Sequence, residues 1–306
     1  MPGVAILLCT FNGAKFLPAQ LASYEDQKLS NWRVFASDDG STDGTLTLLS
    51  NYQSNLGEDR VDIRNGPRKG FVANFLSLVC NQSITADYYA YSDQDDVWNS
   101  EKLLCAVDWL QQQPDGVPAM YCGRTRLIDD HGRVCGFSPL FRQKPGFRNA
   151  LVQSIAGGNT IVFNNAAREL LIYCGPSVQV PSHDWWTYLL TGAVGGNVFY
   201  DPVPQVGYRV HSDNVVGSNV GWINRIRRIR TLATGGLMRW TDLNVAALKP
   251  FRLRMTSHNR AVFDLFIESR QRGFIGRPFG FLGTGVYRQT TLGNLGLALA
   301  ILARKI

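Results

Sequence analysis

Residues 32–45 have the sequence WRVFASDDGSTDGT, in which a short apolar run ends at two aspartates and a glycine. Aromatic and β-branched residues in such a run are typical of a buried strand. Asp-Gly steps form turns, and the Ser, Thr and Asp residues that follow can cap a helix. The stretch therefore predicts a strand, a polar turn and a helix in immediate succession.

The same succession recurs through the first half of the chain. Short apolar runs predict four strands, at residues 4–9, 32–37, 61–64 and 88–92. Apolar residues at spacings of three and four between these runs predict four helices, at 15–27, 42–52, 71–82 and 101–112. Strands that alternate with helices build a mainly parallel sheet with helices on its faces. We therefore predict an α/β fold.

The second half of the chain has a different pattern. Between residues 120 and 163, runs of β-branched and aromatic residues replace the helical spacing. The segments that follow predict a short helix, further strands and two helical stretches, at 183–190, 197–210, 236–248 and 256–271. We predict a main domain at 1–217, with a first half at 1–115 and a second half at 116–217, and a basic helical region at 218–306.

Composition narrows the class of protein. The chain has 306 residues, of which 45% are hydrophobic, so it can form a substantial core. Six cysteines occur without a C-x-x-C pair or a cluster with histidine, which argues against a zinc site and a disulfide framework. The apolar start is too short for a signal peptide, and no apolar stretch reaches the roughly 18 residues of a membrane span. We therefore expect a cytoplasmic protein.

Asp93, Asp95 and Asp96 follow the last of the four predicted strands. Carboxylates this close together repel one another and resist burial unless a cation or hydrogen bonds compensate. Carboxylate ligands without His or Cys suit Mg²⁺ or Mn²⁺, and such an ion could also bind a diphosphate. The alternative is a solvated loop that caps the next helix. Both explanations stay open at this point.

Polar residues also end the first two predicted strands. TFNG at 10–13 follows the first strand, and the acidic turn at 38–44 follows the second. In an open α/β sheet, ligands bind at the carboxyl ends of the strands. The carboxylate of Asp39 could accept the N3 proton of a pyrimidine base. For residues 40–43, turn formation and helix capping are a sufficient explanation.

Three cationic or titratable residues are further candidates for binding a phosphorylated ligand. Arg68 and Lys69 precede a predicted helix whose N-terminus favours anions, so they either contact ligand phosphates or are solvated loop cations. His211 follows the last predicted strand. It could complete a metal site or bond to a diphosphate, but a lone histidine is more often structural.

The sequence His183-Asp184-Trp185-Trp186 begins the short predicted helix. Asp184 is our candidate for the general base, although an acid in a first helical turn often serves only the helix dipole. Trp185 and Trp186 are suited to stacking on sugar faces, which makes them candidates for binding the acceptor.

Taken in order, five motifs resemble the family-2 glycosyltransferases: TFNG at 10–13, DDGSTDGT at 38–45, GFVAN at 70–74, SDQDDVW at 92–98 and HDWW at 183–186. YRVHSDNVVG at 208–217 is similar to rhamnosyltransferases that build bacterial cell-surface polysaccharides. The resemblance spans residues 4 to about 217. It implies a catalytic domain of GT-A fold at 1–217, with the half that binds a nucleotide-sugar donor at 1–115 and the acceptor half at 116–217. It also implies a divalent metal, Mg²⁺ or Mn²⁺.

The resemblance also implies roles for individual residues. It places Asp39 on the base, Asp95 on the metal in a D-x-D arrangement, and Asp184 at the acceptor hydroxyl as catalytic base. The pattern leaves open whether Asp95 or Asp96 takes the metal. The remaining residues assigned to the donor are Thr10, Phe11, Asn12, Asn74 and Asp93.

These assignments predict an inverting glycosyltransferase that moves L-rhamnose from dTDP-rhamnose, with UDP-hexoses as second choice, onto a lipid-linked glycan in O-antigen-like polysaccharide synthesis. The basic C-terminal region would rest on the inner, anionic membrane face, unless it is an ordinary solvated appendage. Two other classes stay open: a metal-dependent nucleotidyltransferase or phosphohydrolase, and a nucleotide-sugar binding module without activity. Nucleic acid is not an expected partner, because the basic residues lack interleaved aromatics.

Overall fold

The computed structural model describes residues 3–210 and 236–306. Its first half alternates strands and helices: β1 (Val4–Thr10), α1 (Leu17–Glu25), β2 (Trp32–Asp38), α2 (Thr45–Leu56), β3 (Val61–Asn65), α3 (Phe71–Val79) and β4 (Tyr88–Ser92). These four strands are parallel and adjacent, in the order β3-β2-β1-β4. The predicted alternation and the predicted parallel sheet are therefore confirmed.

The second half extends this sheet with strands of mixed direction. Its elements are β5 (Val97–Trp98), α4 (Lys102–Leu110), β6 (Ala119–Ile128), β7 (Val134–Phe137), α5 (Phe147–Ala150), a 3-10 turn (Gly158–Thr160), β8 (Val162–Asn164), α6 (Asn165–Cys174), α7 (His183–Ala193) and β9 (Asn197–Arg209). The strand order continues β4-β8-β6-β9-β5, and β7 pairs with β6. β8 is antiparallel to both of its neighbours, so the sheet as a whole is mixed.

Four helices lie in the described part of the C-terminal region: α8 (Gly236–Leu248), α9 (Ser257–Gln271), α10 (Gly276–Thr284) and α11 (Thr291–Leu302). The helical stretches predicted at 236–248 and 256–271 are confirmed. Buried side chains of these helices share one apolar cluster with those of α7. The domain boundary predicted at residue 217 and the arginines near it lie outside the described residues. None of the described helices has both the length and the apolarity to cross a bilayer.

Strand β1 is buried on both faces of the sheet, which explains its uninterrupted apolar sequence. Its side chains alternate between two buried clusters, with Ala5, Leu7 and Cys9 on one face of the sheet and Ile6 and Leu8 on the other. Successive side chains of a strand point to opposite faces, and a parallel strand covered by helices on both sides must be apolar on both.

The register of β1 brings the polar strand ends together. Thr10 at the end of β1 lies opposite Asp38 at the end of β2. On its other side β1 pairs with β4, where Leu8 lies opposite Ser92. The loops that follow all three strands therefore emerge at the same edge of the sheet, as the sequence predicts.

Arg168 on α6 is a buried cation that joins three parts of the fold. Its guanidinium donates hydrogen bonds to the carbonyl oxygens of Val79 (2.8 Å) and Asn81 (2.6 Å), and to the hydroxyl of Tyr89 (2.9 Å). It thus ties α6 to the end of α3 and to β4. Buried acceptors are costly to leave unpaired.

We expect Arg168→Met to lower the free energy of unfolding by about 3 kcal/mol, because it removes three hydrogen bonds from a buried charged group and leaves the Val79 carbonyl without its donor. Arg133→Met is the matched control, since the Arg133 side chain is 75% exposed in its ion pair with Asp129. It should change stability by less than about 0.5 kcal/mol. Urea denaturation measures both, and similar losses in the two variants would contradict the assigned role.

Candidate active site

The acidic turn after β2 is built around Asp38. Its buried carboxylate accepts the backbone N–H groups of Gly40 (3.1 Å) and Ser41 (2.7 Å) through Oδ1. Oδ2 accepts the hydroxyl of Thr10 (2.9 Å). Gly40 has a φ of +100°, which glycine adopts without strain. The first aspartate of the pair therefore holds the turn, and the turn explanation for this segment is confirmed.

Asp39 lies at the edge of the fold and is only partly buried. Its Oδ1 accepts the N–H of Arg68 (2.6 Å) and its Oδ2 accepts the N–H of Gly70 (2.8 Å). Each carboxylate oxygen keeps capacity for a further hydrogen bond. The side chains of Arg68 and Lys69 are exposed beside it. Asp39 and these two cations therefore occupy positions that a ligand can reach.

Two residues predicted to bind the donor lie inside the fold instead. Asn74 is buried, and its amide donates to the carbonyl of Ser37 (2.9 Å) and accepts the hydroxyl of the same residue (2.6 Å). Thr10 is buried with its hydroxyl committed to Asp38. The structure contradicts a donor contact by either side chain, because both are enclosed and paired with β2.

The loop after β1 is held by Gln94, a residue that the sequence did not single out. The N–H of Phe11 donates to Gln94 Oε1 (2.8 Å), and Gln94 Nε2 donates to the carbonyl of Phe11 (2.9 Å). The Phe11 ring itself is exposed. Asn12 accepts the N–H of Thr42 (2.8 Å), which links this loop to the acidic turn. The DQDD motif thus positions the loop that carries the exposed Phe11 ring.

The acidic motif after β4 divides into buried and accessible carboxylates. Asp96 is fully buried and accepts hydrogen bonds from the Asn159 side chain and from the N–H of Arg209 (3.1 Å). Asp93 and Asp95 remain partly exposed. The prediction of Asp96 as a metal ligand is therefore wrong, since its oxygens lie in the interior. Of the two candidates that the pattern left open, only Asp95 is accessible.

Electrostatic repulsion is strong in this cluster. Loss of water around the Asp93 carboxyl raises its pKa well above its usual range although part of the residue is exposed, and three nearby carboxylates raise it further: Asp96, Asp95 and Asp184. Burial, followed by the charge of Asp95, raises the pKa of Asp96 to about 7. The structure therefore brings Asp184 into the field of the acidic motif, although the two are distant in sequence.

Lys102 is a buried cation beneath the same cluster. Its ammonium lies 3.1 Å from the centre of the Trp98 ring, and it has no hydrogen-bond partner among the described residues. Burial lowers its pKa well below the usual range, while Asp96 and Asp93 oppose that shift. Carboxylates thus outnumber buried cations here, which is the charge balance that an added divalent cation would correct.

Across the described ranges, no three His, Cys, Asp or Glu side chains are placed to hold a metal by themselves. Asp93 and Asp95, which are partly exposed, offer oxygen ligands of the kind that Mg²⁺ accepts. His211, the third predicted metal ligand, lies outside the described residues.

Arg209 at the end of β9 organises the loops around the cluster. Its guanidinium donates to the carbonyls of Asp95 (2.9 Å), Asp129 (2.8 Å) and Asp130 (3.0 Å). It also lies over the Phe16 ring, 4.7 Å from its centre. The motif around residue 208 thus supplies a structural cation, which sequence patterns alone did not distinguish from a ligand-binding one.

Helix α7 presents Asp184 in its first turn, where Oδ1 accepts the N–H of Trp185 (2.6 Å) and the side chain remains partly exposed. His183 is buried behind it and stacks on Phe75 with ring centres 3.8 Å apart. Neither ring nitrogen of His183 has a hydrogen-bond partner within the described ranges. A Cβ on Gly158 would come within 2.5 Å of Nε2, so the glycine is needed for this packing.

The two tryptophans of the HDWW motif are core residues. Trp185 is 5% exposed and Trp186 is fully buried. The indole N–H of Trp185 donates to the carbonyl of Ala150 (2.6 Å). Their burial contradicts the predicted stacking on an acceptor sugar, because neither ring face reaches the surface.

Burial lowers the pKa of His183 to about 4. The neutral ring therefore contributes stability that is fully present above the unfolded pKa of about 6.5 and is lost as the pH falls towards 4. Between pH 7 and pH 4, the free energy of unfolding of wild type should fall by about 3 kcal/mol more than that of His183→Phe, which has no ring to protonate. Urea denaturation across this range tests the difference. His131→Phe, at an exposed histidine, should leave the pH profile unchanged.

The chain is similar in sequence to known glycosyltransferases. Residues 5–170 match the model of glycosyl transferase family 2. The dTDP-rhamnosyl transferase RfbG of Shigella flexneri is 28% identical over 235 residues, which cover 72% of this chain and 78% of RfbG. The putative glycosyltransferase EpsE of Bacillus subtilis is 29% identical over 111 residues, covering 36% of this chain and 39% of EpsE.

Solved structures agree in fold. TarS 1–349 of S. aureus, in complex with UDP-GlcNAc, superposes with a TM-score of 0.60 at 12% identity and covers 99% of this chain and 88% of its own. The mannosyltransferase PcManGT of Pyrobaculum calidifontis, in complex with GDP-Man and Mn²⁺, gives a TM-score of 0.55 at 17% identity, with 99% and 86% covered. The GT-A-like fold is thereby confirmed. Because the family model covers more than half of the chain, this protein belongs to glycosyl transferase family 2.

Proposed function

We propose that this glycosyltransferase transfers L-rhamnose from dTDP-rhamnose to a hydroxyl of a lipid-linked glycan, with inversion at the anomeric carbon. The observation that carries the proposal is the convergence of three accessible carboxylates from distant segments at one edge of the sheet: Asp39, Asp95 and Asp184. Each matches one need of the reaction, namely a base contact, a metal ligand and a proton acceptor.

The first contact proposed for the donor is with its nucleobase, thymine. Asp39 retains hydrogen-bonding capacity for the N3–H of thymine, and the exposed Phe11 ring lies on the neighbouring loop. Arg68 and Lys69 follow as contacts for the diphosphate, at the N-terminus of α3. The choice of rhamnose is supported by the likeness to RfbG, which is a dTDP-rhamnosyl transferase.

The metal side rests on Asp95, with Asp93 beside it. A Mg²⁺ or Mn²⁺ ion held there would relieve the carboxylate repulsion and neutralise the charge of the leaving diphosphate. The structural neighbour from Pyrobaculum calidifontis contains Mn²⁺ with its donor.

Asp184 is the proposed general base. Its partly exposed carboxylate sits at the N-terminus of α7, within the field of Asp93. Asp184 takes the proton of the acceptor hydroxyl as that oxygen forms a bond to the anomeric carbon. The bond to the diphosphate breaks on the opposite face, so the product is inverted.

The acceptor and the location of the enzyme are the finer part of the proposal. We assign a lipid-linked glycan of bacterial surface polysaccharide synthesis, of the O-antigen type, at the inner face of the plasma membrane. The basic composition of the chain, with a net charge of +7, supports peripheral contact with anionic lipid.

Asp184→Asn should lower kcat about 10²- to 10⁴-fold, because the amide cannot take the proton. The Kd for dTDP-rhamnose should change little, since the base contacts the acceptor. Release of dTDP with lipid-linked glycan acceptors measures the rate, and calorimetry measures donor binding. The control is Asp108→Asn, at an exposed position on α4. Normal turnover of Asp184→Asn would exclude it as the base.

A thermal-shift panel tests the donor and the metal together. Saturating dTDP-rhamnose with Mn²⁺ should raise the Tm by about 5 °C, and UDP-GlcNAc and GDP-mannose should raise it less. Asp95→Asn should lose the Mn²⁺-dependent part of this shift, whereas Asp108→Asn should keep it. If the Tm shift is equal with and without Mn²⁺, Asp95 is not a metal ligand. If a UDP-hexose gives a larger Tm shift than dTDP-rhamnose, the donor is the UDP-hexose. Release of phosphate or pyrophosphate without sugar transfer would favour the nucleotidyltransferase or phosphohydrolase class.

A further inference from the structure

We infer that helices α10 and α11 form a membrane-docking surface that inserts apolar side chains into the headgroup region of an anionic bilayer. This inference rests on the proposed function for one point, the location of the enzyme at the inner membrane face. It adds that apolar side chains, and not charge alone, hold the protein there. We call this surface the C-terminal apolar surface.

Helix α11 provides one half of the surface. Leu292, Leu295, Leu299 and Leu302 are 47% to 82% exposed. Their spacing of three, four and three residues places them along one face of the helix, while Leu297 and Ala300 are buried on the other side. The whole helix, Thr291–Leu302, has no charged residue. An apolar stripe of this kind on a soluble protein marks an interaction site.

The segment between α9 and α10, together with α10, provides the other half. Phe274 and Ile275 precede α10, and Phe279 and Leu282 lie on it; all four are among the most exposed large apolar side chains of the described part. Helix α10 packs against both α9 and α11. The two halves are thus on neighbouring, contacting elements.

Arg277 makes this surface a preformed one. Its buried guanidinium donates hydrogen bonds to the carbonyl of Ile301 (3.0 Å) and to those of Ile306 and Arg270. One cation on α10 therefore fixes the end of α11 and the C-terminal residue. Insertion would need no folding of new structure, which lowers the entropy cost of binding.

The surface is also joined to the catalytic half. The amide of Asn149 on α5 donates to the carbonyl of Tyr287 (2.9 Å) in the loop before α11. The hydroxyl of Tyr188 on α7 donates to the same Asn149 side chain (3.0 Å). Helix α7 carries Asp184, so a bilayer bound by the C-terminal apolar surface is coupled through two side chains to the proposed acceptor side.

The charges around the C-terminal apolar surface favour a bilayer as its partner over a second copy of the chain. Residues 272–306 contain five Lys or Arg and no Asp or Glu; of the five, Arg277 is buried and Arg272 pairs with Glu268. Arg288 stands before α11, and Arg304 and Lys305 follow it. A leucine seam between two copies is normally flanked by charges of both signs, which α11 lacks. Cations at both ends of an apolar helix complement anionic lipid headgroups, as in helices that lie in the membrane interface.

The test uses vesicles and no substrate, so its failure leaves the proposed transfer untouched. Wild type should float with vesicles of phosphatidylcholine and phosphatidylglycerol, and part of this binding should persist in high salt because apolar insertion is not screened. The double variant Leu295→Glu/Leu299→Glu should bind at least about tenfold more weakly in both salts. Circular dichroism and the Tm confirm that the variant is folded.

The matched control is Val134→Glu/Val203→Glu, which alters two apolar residues that are 57% and 58% exposed outside the surface. It should keep wild-type binding. The inference is overturned if Leu295→Glu/Leu299→Glu floats as well as wild type, or if high salt releases wild type completely. A third result would also overturn it: wild type does not bind vesicles and is a dimer by light scattering, whereas Leu295→Glu/Leu299→Glu is a monomer.

Discussion

The buried carboxylate of Asp96 is the interaction on which the organisation of the candidate site depends. An isolated buried carboxylate is strongly disfavoured, so its hydrogen bonds are required and not optional. Asn159 comes from the turn before β8 and Arg209 from the end of β9, so one side chain joins three loops far apart in sequence. These bonds hold the turn before β8 and the end of β9 against the end of β4, where Asp93 and Asp95 are partly exposed.

The same division recurs at the end of β2. Asp38 is buried and holds the turn through backbone N–H groups, while its neighbour Asp39 stays accessible. In both motifs one aspartate is buried and hydrogen-bonded within the fold, and an adjacent one stays accessible. The buried carboxylate fixes the loop that carries its accessible neighbour.

The C-terminal helices share an apolar cluster with helix α7. Phe263 and Phe266 of α9 lie in one apolar cluster with Trp185 and Trp186 of α7. The tryptophans thereby support the helix that carries Asp184 and link it to the last third of the chain. Their conspicuous position beside an acidic residue reflects this packing role.

The amino-acid sequence by itself determined the alternation of strands and helices and the meeting of polar strand ends at one edge. Both follow from local properties, namely side-chain periodicity and turn chemistry, combined with the parallel direction of β1, β2 and β4. Only the tertiary structure decided which member of each acidic motif is accessible, that Asn74 and the two tryptophans are enclosed, and that β8 runs antiparallel. Burial and pairing depend on residues distant in the chain, such as Asn159 opposite Asp96, and no local pattern encodes those partners.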